Sequence, residues 1–169
     1  YSIFSVMKKE FNIDLNQANY FAGHSLGEYS ALTCANSLPF EEAVCLLYAR
    51  GKFMQEAVPS GRGAMLAVLG LKVDEILEQI NSISIKGTCE IANDNSPGQI
   101  VISGDKESIQ ILQDSFKKKS IRGIILPVSA PFHCSLMKNA EKKMFQKITE
   151  TLFKEPKPPI ISNVTANAE

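Results

Sequence analysis

Neither sign of charge is in excess in this 169-residue chain: Lys and Arg total 18, and so do Asp and Glu. That balance argues against nucleic acid as the main partner, because phosphate binding shows as a basic surplus. No apolar run approaches the roughly 20 residues that cross a bilayer, so no membrane span is expected. Cys34, Cys45, Cys89 and Cys134 include no C-x-x-C pair, and no secretory leader is visible. A disulfide framework and a zinc site are therefore not expected, and a reducing, cytoplasmic setting fits. Histidine is scarce, with only His24 and His133. Within these residues, any chemistry that needs an imidazole must use one of these two.

What is present is ordinary for a globular protein: 44% hydrophobic and 21% charged residues, enough for one domain with a modest insert. Residues 1–11 read as an amphipathic helix with no start signal, and the strand-like 160–164 stops close to the other terminus. Further chain is expected on both sides. Residues 19–22 read as a short buried strand, 23–27 as a turn and 26–35 as a helix. A helix from about Pro39 carries Phe40, Ala43, Val44, Leu47, Tyr48 and Gly51 at 3.6-residue spacing, and breaks at Pro59, Gly61 and Gly63. From 62 to 128 the pattern is strand 64–69, a helix with Val73, Ile76, Leu77 and Ile80, strands 89–93 and 99–103, a helix capped by Asp105, and strand 123–128. This β-α-β-β-α-β order is that of a ferredoxin-like unit. It predicts a small subdomain over 61–128, set into a larger one formed by 1–60 and 129–169. A last helix carries Met137, Ala140, Met144, Ile148 and Leu152.

Gly23-His24-Ser25-Leu26-Gly27 matches G-x-S-x-G between a predicted strand and a predicted helix. A tight strand-to-helix turn crowds the backbone, so both flanking glycines have a reason to be there, and the serine oxygen projects at the tip. The helix start points N–H groups at the same place, and the amide of Leu26 is the natural first donor to an oxyanion. A serine nucleophile needs a base. His24 is adjacent to Ser25, and neighbours at a strand end point to opposite sides. His133, in the loop 129–134, is the remaining candidate. No Asp or Glu stands out as the group that orients it, and a carbonyl would serve. Cys34, Cys45 and Cys134 are rival nucleophiles without a matching turn. Arg50 falls on the apolar stripe of the second long helix, where an unpaired guanidinium is costly. Its partner is either a buried carboxylate, with Glu28 the candidate, or a carboxylate that arrives with the substrate and meets the planar fork.

Four segments in order resemble bacterial malonyl-CoA:acyl-carrier-protein transacylases. Gly23-His24-Ser25-Leu26-Gly27-Glu28-Tyr29-Ser30-Ala31-Leu32 is similar to their nucleophile segment, and Arg50-Gly51-Lys52-Phe53-Met54-Gln55 to their arginine helix. Asn93-Asp94-Asn95-Ser96-Pro97-Gly98-Gln99 is similar to an Asn-rich, Pro-Gly-Gln loop, and Pro131-Phe132-His133-Cys134 to the histidine loop, with Ile161-Ser162-Asn163-Val164 the strand beyond it. The resemblance implies an α/β-hydrolase-like core interrupted by a ferredoxin-like subdomain. It implies Ser25 as the acylated nucleophile, His133 as its base, Arg50 as the anchor of the malonyl carboxylate and Leu26 as an oxyanion donor. His24, Asn93, Asn95 and Gln99 form a second tier in the matched segments. The implied partners are malonyl-CoA and an acyl carrier protein, with no cofactor or metal bound by the enzyme. Carrier proteins are acidic, so Lys117, Lys118, Lys119 and Arg122, or Lys138, Lys142, Lys143 and Lys147, are candidate docking residues. A second oxyanion donor and the group steadying the histidine are expected from segments outside this chain. Two rivals remain: a serine esterase or thioesterase of α/β-hydrolase type, and an interaction domain that has lost the reaction.

Overall fold

The structure is a computed structural model that describes residues 1–169, a mixed α/β chain with six helices and six strands. It divides into two compact units, Tyr1–Arg50 with Met144–Glu169, and Gly51–Lys143. The predicted insert covers 61–128, and packing groups 51–60 and 129–143 with it.

The first unit holds α1 (Ser2–Lys9), β1 (Phe21–Ala22), α2 (Leu26–Cys34), most of α3 (Phe40–Ala57), the end of α6 (Lys138–Thr149) and β6 (Ile160–Ile161). β1 and β6 pair in parallel, Phe21 opposite Ile160 and Ala22 opposite Ile161. β1 is not the buried strand expected: with one hydrogen-bonded neighbour, Phe21 is half-buried and Ala22 exposed. The small side chains of α2 let the helix lie close on this pair, so that Ala31, Ala35 and Ile160 form a core with Phe21 and Leu32. After α2 the chain is tied to the segment before β6: the Ser37 hydroxyl donates to the Lys154 carbonyl at 2.6 Å, and the Lys157 amide donates to the Ala35 carbonyl at 2.9 Å.

Helix α3 has the predicted period but buries a different row. Phe40, Val44 and Tyr48 are 45%, 49% and 75% exposed, while Ala43 and Leu46 are buried. Spacing fixes which residues share a face, but the neighbours decide which face turns inward. Arg50 lies one turn beyond Leu46 and stays on the inward side, half-buried. In α6, Ala140 and Met144 are buried, whereas Leu152 lies past the helix end and is 80% exposed.

The second unit is built on β2 (Gly63–Leu69), α4 (Val73–Ser82), β3 (Cys89–Ser96), β4 (Gln99–Asp105), α5 (Lys106–Lys118) and β5 (Arg122–Ile125). The strands form one antiparallel sheet in the order β3-β4-β2-β5. Period-two alternation puts Leu66 and Val68 of β2 opposite Ile102 and Ile100 of β4. All four face Ile76 of α4 and Ile109, Leu112 and Phe116 of α5 in a fully buried core. Each such side chain contributes about 1.5–3 kcal/mol by leaving water. Asp105 caps α5 as predicted, accepting from the Ser108 amide at 3.0 Å and the Ser108 hydroxyl at 2.8 Å. The Asn-rich segment is strand rather than loop up to Ser96, with register shifts between Ile91 and Asn93 and between Asp94 and Ser96. β5 ends at Ile125 and β6 at Ile161, both shorter than predicted.

Candidate active site

The serine sits at the corner between β1 and α2, and glycine makes that corner possible at one side only. A Cβ on Gly23 would lie 2.0 Å from the Gly27 carbonyl oxygen and 2.6 Å from the Glu28 nitrogen, contacts that backbone cannot yield. A Cβ on Gly27 would meet nothing within 4 Å. The second glycine of the motif is therefore not required by packing within this chain, contrary to the expectation.

Ser25 itself has φ 53° and ψ −107°, a conformation that costs a non-glycine residue about 1–3 kcal/mol. It occupies the N-cap position of α2, yet its side chain makes no capping bond. The hydroxyl instead accepts from Nη2 of Arg50 at 2.8 Å. The Ser25 amide donates to Oδ1 of Asn163 at 2.6 Å, and the Asn163 amide donates to Oε1 of Glu28 at 3.1 Å. Glu28 is thus engaged by Asn163 and not by Arg50, which corrects the carboxylate partner considered for the arginine. In the first turn, the Gly27 and Glu28 amides donate back to the carbonyls of His24 and Ser25, at 2.8 and 3.2 Å. The Leu26 amide takes part in neither bond.

Tyr29, next along α2, senses both charges. Burial pushes its phenol pKa up, Arg50 pulls it down and Glu28 adds to the rise, with a net upward shift. It stays protonated and neutral at physiological pH. His24 is exposed beside the serine. Ser25, Leu26, Arg50 and His24 therefore all belong to the first unit. Asn163 joins them there. It lies in the segment that resembles the strand beyond the histidine loop, and nothing local in the sequence links it to the serine.

His133 belongs to the second unit, as do Asn93, Asn95 and Gln99. His133 is exposed, with φ 60°. Its loop is held at several points. The Ser129 hydroxyl donates to Oε1 of Gln55 at 2.9 Å, and the Cys134 thiol to the Pro131 carbonyl at 3.2 Å. The Ser135 amide donates to Oε2 of Glu90 at 2.8 Å, and its hydroxyl donates to Oε1 of the same carboxylate. Pro131 packs where Gly63 has no side chain, since a Cβ there would lie 2.2 Å from the ring. Asn93 is half-buried in β3, and Asn95 and Gln99 are exposed on either side of the Pro97-Gly98 turn. A cavity of about 430 Å³ in this unit is lined by Val58, Arg62, Asp105 and Glu107 among others, and by none of the predicted site residues.

Two of the cysteines, Cys89 and Cys34, compete poorly with the serine. Burial, then Asp105 and Glu90, push the Cys89 thiol up to about 12, and burial raises that of Cys34. A thiol so shifted is not the thiolate that attacks.

Residues 16–169 match the family described as acyl transferase domain. The malonyl CoA-acyl carrier protein transacylase of Escherichia coli is 44% identical over 149 residues, which cover 88% of this chain and 48% of that protein. The crystal structure of FabD from Acinetobacter baumannii superposes with a TM-score of 0.92 at 43% identity, over 99% of this chain and 53% of that one. A malonyl-transacylase solved with its type II polyketide acyl-carrier protein gives a TM-score of 0.91 at 39% identity, over 99% and 54% of the two chains. The chain spans about half the length of the curated relatives it matches. None of its helices is long and apolar enough to cross a membrane.

Proposed function

Because the chain belongs to the acyl transferase domain family, we propose that it carries the serine and arginine of a malonyl-CoA:acyl-carrier-protein transacylase that serves fatty-acid synthesis. One observation carries the choice of substrate: the Arg50 guanidinium lies 2.8 Å from the Ser25 hydroxyl. The carboxylate carbon of a malonyl ester is three bonds from the serine oxygen, so the acyl group would bring its negative charge to the fork. An acetyl or long-chain acyl group offers nothing in return for a half-buried cation.

In this reading Ser25 Oγ attacks the thioester carbonyl carbon of malonyl-CoA and its proton passes to His133. The carbonyl oxygen becomes an oxyanion at the start of α2, where the Leu26 amide donates to it. The C–S bond then breaks, and the CoA sulfur leaves with the proton held by His133. The thiol of the carrier's phosphopantetheine repeats the sequence in reverse, giving its proton to His133 and taking the malonyl group from Ser25. No cofactor is needed, since both thioesters bring their own activated carbonyl, and the reaction belongs to the cytoplasm. The strand order β3-β4-β2-β5 supports a ferredoxin-like subdomain over 61–128, and the turn from β1 to α2 supports an α/β-hydrolase-like core over 1–60 and 129–169. His24, Asn93, Asn95 and Gln99 are proposed to flank the bound substrate. The relative solved in complex with its acyl-carrier protein supports a carrier protein as partner, and the two lysine clusters are its proposed docking residues if that carrier is acidic.

The protein is incubated with malonyl-CoA and then with carrier protein bearing phosphopantetheine. A malonyl adduct on Ser25 that chases onto the carrier is the expected result. Free malonate, released as fast with the carrier as without it, would identify a hydrolase instead.

A further inference from the structure

We infer that Asn163 and Glu28 are positioning residues that keep the Ser25 hydroxyl out of a helix cap and available for chemistry; this rests on Ser25 being the nucleophile. Ser25-Leu26-Gly27-Glu28 has the S-x-x-E spacing of a capping box. In such a box the serine oxygen accepts from the amide three residues on, and the glutamate reaches back to the serine amide. Left to local forces, this sequence would bury its hydroxyl in that pair of bonds.

Here both halves of the box are displaced. The Ser25 amide donates to Asn163 Oδ1 at 2.6 Å, taking the place of the glutamate, and Glu28 accepts the Asn163 amide at 3.1 Å instead. The Glu28 amide donates to the Ser25 carbonyl at 3.2 Å, not to its hydroxyl. Asn163 stands between the two residues that would otherwise bond each other. Its place follows from the sheet. Ile161 is in register with Ala22 on the parallel pair, so two residues further on the chain arrives beside His24 and Ser25. The backbone at φ 53° and ψ −107° lies outside the β region that N-caps adopt, and such a conformation persists only where surrounding contacts over-determine it. The bonds through Asn163 supply that constraint, and the hydroxyl, outside the cap, accepts from Arg50.

The test uses a fluorophosphonate, which labels an activated serine whatever acyl group the enzyme prefers. Asn163→Leu keeps the side-chain shape and removes the acceptor. Its limiting labelling rate at Ser25 is expected to fall on the order of a hundredfold, as for a nucleophile displaced by about an ångström, with probe affinity unchanged. Glu28→Ala should lower the same rate, and Glu28→Gln, which keeps an acceptor for the Asn163 amide, should restore it. A purely structural role would move the melting temperature and not this pair of rates. Asn163→Leu labelled at the parent rate would overturn the inference. Should Asn163→Leu fail to fold, equal rates for the Ala and Gln variants of Glu28 would do the same. A parent that labels at Ser25 but never takes malonyl would sink the proposed substrate and leave the inference standing; a parent that does not label would remove both.

Discussion

Replacing Arg50 by Ala tests the choice of substrate, and the structure sets the size of the effect. The guanidinium makes one hydrogen bond to Ser25 Oγ, which every acyl donor loses in the variant. At the lower end for a bond involving a charged group, about 1.5 kcal/mol, that is roughly tenfold in rate for any substrate. Malonyl loses more. Two parallel bonds between the fork and its carboxylate come to about 3 kcal/mol at the same lower value, appropriate to a half-buried group, or a further hundredfold or so. Acetyl transfer should therefore fall about tenfold and malonyl transfer about a thousandfold. The measurement is kcat/KM for transfer from each CoA thioester to the carrier protein, parent and variant side by side. Arg50→Lys should fall between, since an ammonium keeps the charge and loses the fork. Equal losses for the two acyl groups would refute the assignment and leave Arg50 a support of the serine alone.

Gly23→Ala should abolish both serine labelling and the folded first unit, because the new methyl meets backbone at 2.0 Å; Gly27→Ala should keep the fold and gain up to about 1 kcal/mol in denaturant titrations, alanine being the better helix former. Loss of stability on Gly27→Ala would refute this reading of the position. Burial alone would raise the Asp105 pKa, but the hydrogen bonds to its carboxylate, those from the Ser108 amide and hydroxyl foremost, together outweigh it and hold the carboxylate below its usual value. The stability this adds is complete above the unfolded carboxylate pKa and is lost as pH falls through the lower folded one. Asp105→Ala should thus cost about 1 kcal/mol at neutral pH, and urea titrations should show the gap closing in acid. Ser103 is fully buried in β4 and its hydroxyl has no hydrogen-bond partner. Ser103→Ala should be neutral or stabilise by about 1 kcal/mol, and a raised melting temperature would show it.

The sequence was most informative where chemistry is local. Short apolar runs bounded by turn residues locate β2 and β4 to within two residues at each end, and Asp105 is readable as a cap because its partner lies three positions away. Arg50 could be singled out because a guanidinium on an apolar helix needs a reason to be there. Its neighbours on that helix depart from the expectation, since Phe40, Val44 and Tyr48 share the period but not the buried side. The motif assigns Gly27 the same steric reason as Gly23, and only distances separate the two.

The five residues from Gly23 to Gly27 determined that a serine would stand at a strand-to-helix turn, because that turn is a matter of local backbone crowding. What the serine does with its hydroxyl was decided by tertiary structure. The spacing from Ser25 to Glu28 favours a closed cap, and only Asn163, 138 positions away in the chain and delivered by the parallel pairing of β1 with β6, prevents it. A local pattern can specify which groups are near one another, but a competition between two sets of hydrogen bonds is settled by whichever partner the fold brings to the same place.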